Sequence, residues 1–350
     1  MYGYHVEKMN MHQKDAIRDF LSHQNLEFEE SVEETLVLWH GDNIIGSCSS
    51  DGAVIKMFAI QKCYRQNGVS TILLTHMINN LFDKGFYTVL AYTPSENKAT
   101  FESLQFKCVY DTGRVALMQV GIDGIKQDLL RLQKSLEAQV NMSVDQVQRA
   151  AIVMNGNPFT KGHLFLIEKA AQENQEVVVF VVEEDRSSFP THTRLKLIQE
   201  GTKHLNNVKV VKGGLFIVSS ATFPQYFERD KSKRAQWGAE LDAGIFCSHF
   251  AKGLNICKRY VGTEPFCETT RIYNQVLMKT CEANDIELIE VNRLKSESLE
   301  VSASMVRSLL RYGDLEVVKS LVPKCTVEFL KTDDAGKIIE RIMSANGSKH

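Results

Sequence analysis

The stretch Asn155-Gly156-Asn157-Pro158-Phe159-Thr160-Lys161-Gly162-His163 decides how the second half of the chain folds. An apolar run of strand length, residues 150–154, precedes it, and a helical period through residues 163–172 follows. A glycine-containing loop that carries a β-strand into a helix N-terminus is where backbone N–H groups and the helix dipole receive phosphate. The loop lacks the G-x-x-x-x-G-K-[ST] pattern, so it is not a Walker A loop. Downstream the rhythm continues with a strand over 176–182, a helix over 193–202 and a strand over 208–211. Such alternation predicts a parallel sheet with helices on both faces.

Upstream the pattern is different. Short β-rich runs at 35–39, 43–48, 53–60, 88–92 and 115–120 surround one amphipathic helix over 70–82, with Ile72, Leu73, Met77, Ile78 and Leu81 as its apolar positions. Gly41-Asp42-Asn43 reads as a hairpin turn, so the sheet is partly antiparallel and the domain α+β. From 123 the sequence turns polar and helix-favouring, without proline and with no glycine after Gly124, which predicts a helical connector. The expected organisation is an α+β domain over 1–122, a connector over 123–147 and an α/β domain over 148–345. The tail over 333–350 is polar after Ile342 and is expected to fray.

Composition narrows the class. With 41 Lys and Arg against 43 Asp and Glu in 350 residues, the net charge is −2, and nothing global predicts a nucleic-acid partner. Eight scattered cysteines form no C-x-x-C pair, and the spacing of Cys247, His249 and Cys257 matches no common zinc pattern. Reduced thiols, a cytoplasmic location and no membrane contact are the expectation, because no apolar run reaches the length of a bilayer span.

Motifs carry the chemistry. Thr160-Lys161-Gly162-His163 resembles the T/HxGH signature of the nucleotidyltransferase superfamily, in which the glycine permits close approach and the histidine meets the α-phosphate. Val301-Ser302-Ala303-Ser304-Met305-Val306-Arg307 resembles that superfamily's ISxTxxR motif, and Arg259 to Phe266 falls where its nucleotide contacts lie. The resemblance implies a Rossmann-like fold and catalytic roles for His163, Thr160 and Arg307. It implies pyrophosphate contacts from Ser302 and Ser304, and nucleotide contacts from Asn157, Phe159, Lys161, Gly162, Gly262, Thr263 and Glu264. Lys161 and Arg194 are further candidates: Lys161 for the triphosphate or as a solvated loop lysine, and Arg194 for a phosphate or as a surface cap. Stabilising charge at an α-phosphorus while pyrophosphate leaves asks for donors of this kind.

Together with Ser219-Ser220-Ala221-Thr222-Phe223-Pro224 and Arg271-Ile272-Tyr273-Asn274, these segments resemble the citrate lyase ligase family over essentially the whole chain. Membership implies ATP with Mg2+ as cofactors and acetate as the acid that becomes acetyl adenylate. The acceptor it implies is the thiol of a dephospho-CoA-derived prosthetic group on the citrate lyase acyl-carrier subunit. The family's first domain is GNAT-like. In this chain Tyr64-Arg65-Gln66-Asn67-Gly68-Val69-Ser70 resembles the GNAT loop that cradles a CoA pyrophosphate, with Ser70 at a position usually Gly or Ala, which implies roles for Arg65, Gly68 and Ser70. Asn97 to Phe106 resembles a second GNAT segment, with Gln105 in place of the common Gly. A captured prosthetic arm and a domain kept for stability are both open for that half. Another adenylyltransferase, or a protein acetyltransferase with a nucleotide-sensing second half, stand as alternatives that reaction products would separate.

Overall fold

The computed structural model describes residues 3–65, 68–140, 146–183, 187–219, 221–223, 230–264, 267–296 and 299–344. The chain forms two compact units, one of residues 1–128 with 220–245, the other of 129–219 with 246–350.

The first unit is built on a seven-stranded sheet in the order β1-β2-β3-β4-β5-β7-β6. The strands are β1 (Tyr4–Lys8), β2 (Glu34–His40), β3 (Asn43–Asp51), β4 (Val54–Ile60), β5 (Thr88–Pro94), β6 (Lys107–Asp111) and β7 (Val115–Gly121). Neighbours run antiparallel except β4 and β5, which are parallel and pair only at Val54 with Leu90 and at Ile55 with Ala91. His40 faces Asn43, so Gly41-Asp42 closes a two-residue hairpin, as the sequence predicts. Helix Val69–Asp83 buries Val69, Leu73, Leu74, Met77 and Leu81 against one face of the sheet. Ile72 and Ile78 pack at the rim, so the buried stripe is turned slightly from the one expected. Leu81→Ala would cost about 2–5 kcal/mol through lost transfer energy and the cavity left behind. The other face is covered by helix Lys14–His23 through Ile17 and Leu21, which meet Val37, Met57 and Ala59. Helix Lys231–Ile245 also belongs to this unit, although it lies late in the sequence. A Cβ on Gly244 would stand 2.1 Å from the Tyr110 ring, so only glycine lets that helix lie against β6.

The second unit holds a five-stranded, fully parallel sheet in the order β10-β9-β8-β11-β12. Its strands are β8 (Arg149–Met154), β9 (Glu176–Val181), β10 (Val208–Lys212), β11 (Ile256–Gly262) and β12 (Glu287–Val291). All six residues of β9 are buried, as a parallel strand covered on both faces requires. The chain steps outward from β8 through β9 to β10 and then returns to β11 on the other side of β8. The strand order therefore reverses between β8 and β11, which opens a crevice at the carboxyl ends of these strands. At the opposite edge Arg149 donates through Nε to Glu176 at 2.6 Å and through Nη1 to Val147 O and Leu254 O, which offsets the cost of burying its charge. Helix Gly124–Val140 occupies most of the connector expected from the sequence.

The architecture is the one expected, an α+β unit on a largely antiparallel sheet and an α/β unit on a fully parallel sheet. The tail differs. Residues Asp333–Ser344 form a helix that buries Ala335 and places Ile338 and Ile342 in a cluster with Phe189, Val306, Leu310 and Leu321. Ile338 and Ile342 lie one turn apart, and this stripe outweighs the polar composition around it. No helix among the described residues is long and apolar enough to cross a membrane.

Candidate functional site

The loop after β8 is fixed by its own side chains. Asn157, nearly buried, accepts the Phe189 N–H on Oδ1 at 3.0 Å, and Phe159 is fully buried. Helix Lys161–Glu173 then begins at Thr160, whose extended backbone and side chain make it the N-cap. Thr160 Oγ1 accepts the His163 N–H at 3.3 Å, while the Thr160 N–H donates to His163 Nδ1 at 3.1 Å. This reciprocal box has a consequence for the imidazole. Nδ1 is used as an acceptor, so in the neutral ring the proton is assigned to Nε2, which is left as a donor. Burial, reinforced by the charge of Arg293, pushes the His163 pKa down to about 4. The ring stacks at 12° on Phe159, with centroids 6.0 Å apart. His163 is therefore a neutral, oriented hydrogen-bond donor at a helix N-terminus.

Gly162 explains itself by what it faces. A Cβ there would sit 3.0 Å from the Val301 carbonyl oxygen, so glycine lets the 301–304 segment lie against the start of the helix. That segment opens helix Ala303–Tyr312, with Ser302 as N-cap accepting the Met305 N–H at 3.2 Å. Ser302 Oγ and Ser304 Oγ are 3.1 Å apart. One turn on, Arg307 donates from Nη1 to Asn157 O at 2.5 Å. Burial and the neighbouring Arg311 lower its pKa from the usual guanidinium value. The first and last motifs, 144 positions apart between His163 and Arg307, are thus joined at one place. Lys161 is exposed on the first turn beside them.

On the other side of the crevice β11 ends at Gly262, whose carbonyl accepts the Asn274 side-chain amide at 3.2 Å. Thr263 donates its N–H to Val291 O at 3.0 Å. Arg293, which the motifs do not mark, lies just past β12. It donates through Nε to Thr263 O at 2.7 Å and forms an ion pair with Glu264. Glu264 also accepts the Cys267 N–H at 3.1 Å. The loop assigned to the nucleotide is therefore locked by Arg293, and the same cation bears on His163. No motif spacing marks it; a basic residue two positions past β12 is a signal too general to single it out. Pro265 and Phe266 lie outside the described residues.

Arg194 does not reach a phosphate site. It is fully buried, and its guanidinium donates to Phe189 O, Asn155 O, Val182 O and Thr191 Oγ1 at 2.6–2.9 Å, so it ties together the loops after β8 and β9. Arg259 is likewise internal, over the Phe246 ring at 4.2 Å and donating to Tyr273 Oη at 2.9 Å.

In the first unit, Gly68 is left-handed at φ +69 and starts helix Val69–Asp83 with no side-chain cap among the described residues. Arg65 donates through Nε to Ile60 O at 3.1 Å, and Ser70 stands on the first turn. Gln66 and Asn67 lie outside the described residues. Beyond Ile55 and Ala91 the strands β4 and β5 are no longer paired, and Phe58, Tyr92, Thr93, Asn97 and Phe101 line a small cavity of about 30 Å³ there. Within the resembling 219–227 segment, Ser220 and residues 224–229 lie outside the described residues, while Thr222 donates to Asp242 at 3.3 Å.

Comparison with known proteins agrees with this geometry. The citrate lyase ligase C-terminal domain family matches residues 149–330. The [citrate [pro-3S]-lyase] ligase of Escherichia coli (strain K12) is 33% identical over 320 residues, covering 90% of this chain and 89% of that protein. The ligase of the same name from Klebsiella pneumoniae is 33% identical over 321 residues, covering 91% and 92%. A phosphopantetheine adenylyltransferase of Syntrophomonas wolfei is 39% identical over 56 residues, 15% of this chain and 35% of that protein.

Proposed function

Because the chain belongs to the citrate lyase ligase family, we propose that it is the ligase that activates citrate lyase by ATP-dependent acetylation of the lyase's acyl-carrier thiol. The observation that carries the chemical assignment is the meeting of the two phosphate-type motifs, with Gly162 against Val301 and Arg307 on Asn157 O. In the first step an acetate oxygen attacks the α-phosphorus of ATP. A new O–P bond forms, the α–β bridge breaks, and pyrophosphate leaves with the bond electrons. Acetate brings its own nucleophile, so positioning and charge stabilisation are the enzyme's work. His163 donates from Nε2 to the α-phosphate as charge accumulates, and Thr160 holds the ring in that tautomer. Arg307, Ser302, Ser304 and the N-terminus of their helix receive the β- and γ-phosphates. Asn157, Phe159, Lys161 and Gly162 shape the phosphate loop, and Gly262, Thr263 and Glu264 border the nucleoside. Mg2+ enters as part of the ATP substrate.

In the second step the thiol of the dephospho-CoA-derived arm takes the acetyl group and AMP departs. The opening between β4 and β5, with Arg65, Gly68 and Ser70 at the adjacent helix start, supports the first unit as the place where that arm is captured. The reaction is placed in the cytoplasm, with no nucleic acid and no membrane involved.

The test is pyrophosphate release from ATP and Mg2+, with and without acetate and deacetylated citrate lyase. Release that requires acetate, yields AMP and restores citrate cleavage is the expected result. Pyrophosphate that appears without acetate, or a dinucleotide product, would assign a different acceptor. Acetyl-CoA turnover without pyrophosphate would assign a protein acetyltransferase.

A further inference from the structure

A second cavity in the parallel-sheet unit is not used by the reading above. It is an open pocket of about 430 Å³ lined by Glu183, Ser187, Pro190, Thr191, His192, Lys212 and Arg341. Glu183 follows β9, Lys212 ends β10, Thr191 and His192 open helix Thr191–Thr202, and Arg341 comes from helix Asp333–Ser344. The cavity thus lies at the carboxyl edge of the sheet, on the β9–β10 side of the switch point, whereas Gly262 and Glu264 border the β11–β12 side.

Three features give it a chemistry. First, three basic side chains from three separate elements converge there with two hydroxyls. The single carboxylate among the described lining residues, Glu183, is already engaged by the Gly214 N–H at 2.8 Å and by Lys212 at 3.4 Å. Lys212 is set against Glu183, and Arg341 has no ion pair among the described residues, so the described lining keeps one uncompensated guanidinium. Second, the cavity is mechanically part of the catalytic edge. Ser187 and Asn155 exchange hydrogen bonds at 3.0 and 3.1 Å, and Asn155 opens the phosphate loop. Arg194, held by Asn155 O and Val182 O, also donates to Thr191 Oγ1 at 2.7 Å. Third, the triphosphate has its donors elsewhere, at His163, Ser302, Ser304 and Arg307, so Lys212 and Arg341 are not needed for ATP. Acetate is far too small to call for a cavity of this volume.

We infer that this cavity seats the phosphate of the thiol-bearing acceptor while its thiol reacts with acetyl adenylate. The inference rests on the proposed function and adds a second station for the arm, which is captured in the first unit and reacts at the edge of the parallel sheet. In the transfer the thiol sulfur attacks the acetyl carbonyl carbon. The C–S bond forms as the C–O bond to the AMP phosphate breaks, AMP takes the electron pair, and the thiol proton passes to water. Charge-assisted hydrogen bonds from Lys212 and Arg341 hold the phosphate.

The experiment compares two soluble acceptors, 4′-phosphopantetheine and pantetheine, with the full chain and its Lys212→Ala/Arg341→Ala variant. The unaltered enzyme should prefer the phosphorylated acceptor in kcat/KM, chiefly through KM. The variant should lose about tenfold or more of that preference, as expected for two charge-assisted contacts. A preference that survives in the variant overturns the inference. So does a loss in which pantetheine transfer and acetate-dependent pyrophosphate release fall by the same factor, because the cavity would then serve the nucleotide. If the unaltered enzyme releases no acetate-dependent pyrophosphate, the proposed function fails by itself. Calorimetric binding of 4′-phosphopantetheine then decides the cavity's role, and equal affinity in both proteins removes it.

Discussion

Each unit presents a helix N-terminus after a glycine-containing loop, and the two are finished in opposite ways. In the first unit Gly68 starts helix Val69–Asp83 in a left-handed conformation with no side-chain cap among the described residues. In the second, Thr160 and His163 close the N-terminus of Lys161–Glu173 on each other. An uncapped start leaves backbone N–H groups to a ligand, so affinity there depends on the loop backbone. A capped start spends those donors internally and gains an oriented side chain. The first arrangement suits holding a phosphate-bearing molecule. The second suits reacting at one, because the Nε2 donor is placed before charge develops.

The largest expected effect falls on the capped start. His163→Ala removes the donor to the α-phosphate and should slow acetate-dependent pyrophosphate release by about 10²–10³-fold, with little change in the KM for ATP. Steady-state rates across an ATP series check this. A raised KM with kcat unchanged would make the histidine a contact held equally in the ground and transition states. At the uncapped start, Gly68→Val puts a β-branched residue at φ +69, which it adopts poorly. Binding of dephospho-CoA to the full chain should weaken by about tenfold in calorimetry while acetate-dependent pyrophosphate release continues. Unchanged binding would mean that this loop receives no phosphate, and the contrast between the two helix starts would lose its functional meaning.

A smaller effect is expected from Thr160→Ala. Loss of an N-cap costs about 1 kcal/mol of stability. It also frees His163 Nδ1 from the hydroxyl at 2.9 Å while the backbone N–H partner remains. Thermal unfolding should therefore shift modestly, and activity should fall less than in His163→Ala. Activity falling equally would place Thr160 itself on the phosphates.

The two helix starts also show how far sequence alone reaches. Both are legible, because a loop glycine before an amphipathic run leaves a local signature. The alternation of strand and helix after Met154 likewise foretells the parallel sheet. Strand β1 is not legible, since Tyr4-His5-Val6-Glu7-Lys8 is a half-exposed edge whose pairing with β2 is set by distant residues. Helix Lys231–Ile245 packs with the first unit through Gly244 and Tyr110, a contact across more than a hundred positions that no local pattern announces. In the site, Thr160, Gly162, His163, Ser302 and Arg307 are readable because motif spacing encodes them. Arg293 and the burial of Arg194 are not, because each depends on which carbonyls the folded loops bring near.

The pH dependence gives the finest test of the capped start. The His163 pKa in the folded chain is about 4, below the ordinary value of 6.5, with burial the main cause and Arg293 the second. The unfolded chain therefore binds the proton more readily. The contribution of the neutral ring to stability is fully present above pH 6.5 and is lost as pH falls from there through 4. His163→Asn has no such titration. The difference in urea midpoint between the unaltered protein and this variant should be flat above pH 6.5, and should move against the unaltered protein between 6.5 and 4. A difference that moves the other way would mean that the folded chain holds His163 protonated. The ring would then act through charge instead of through a neutral Nε2–H, and the capped start would resemble the uncapped one in offering positive potential more than an oriented donor.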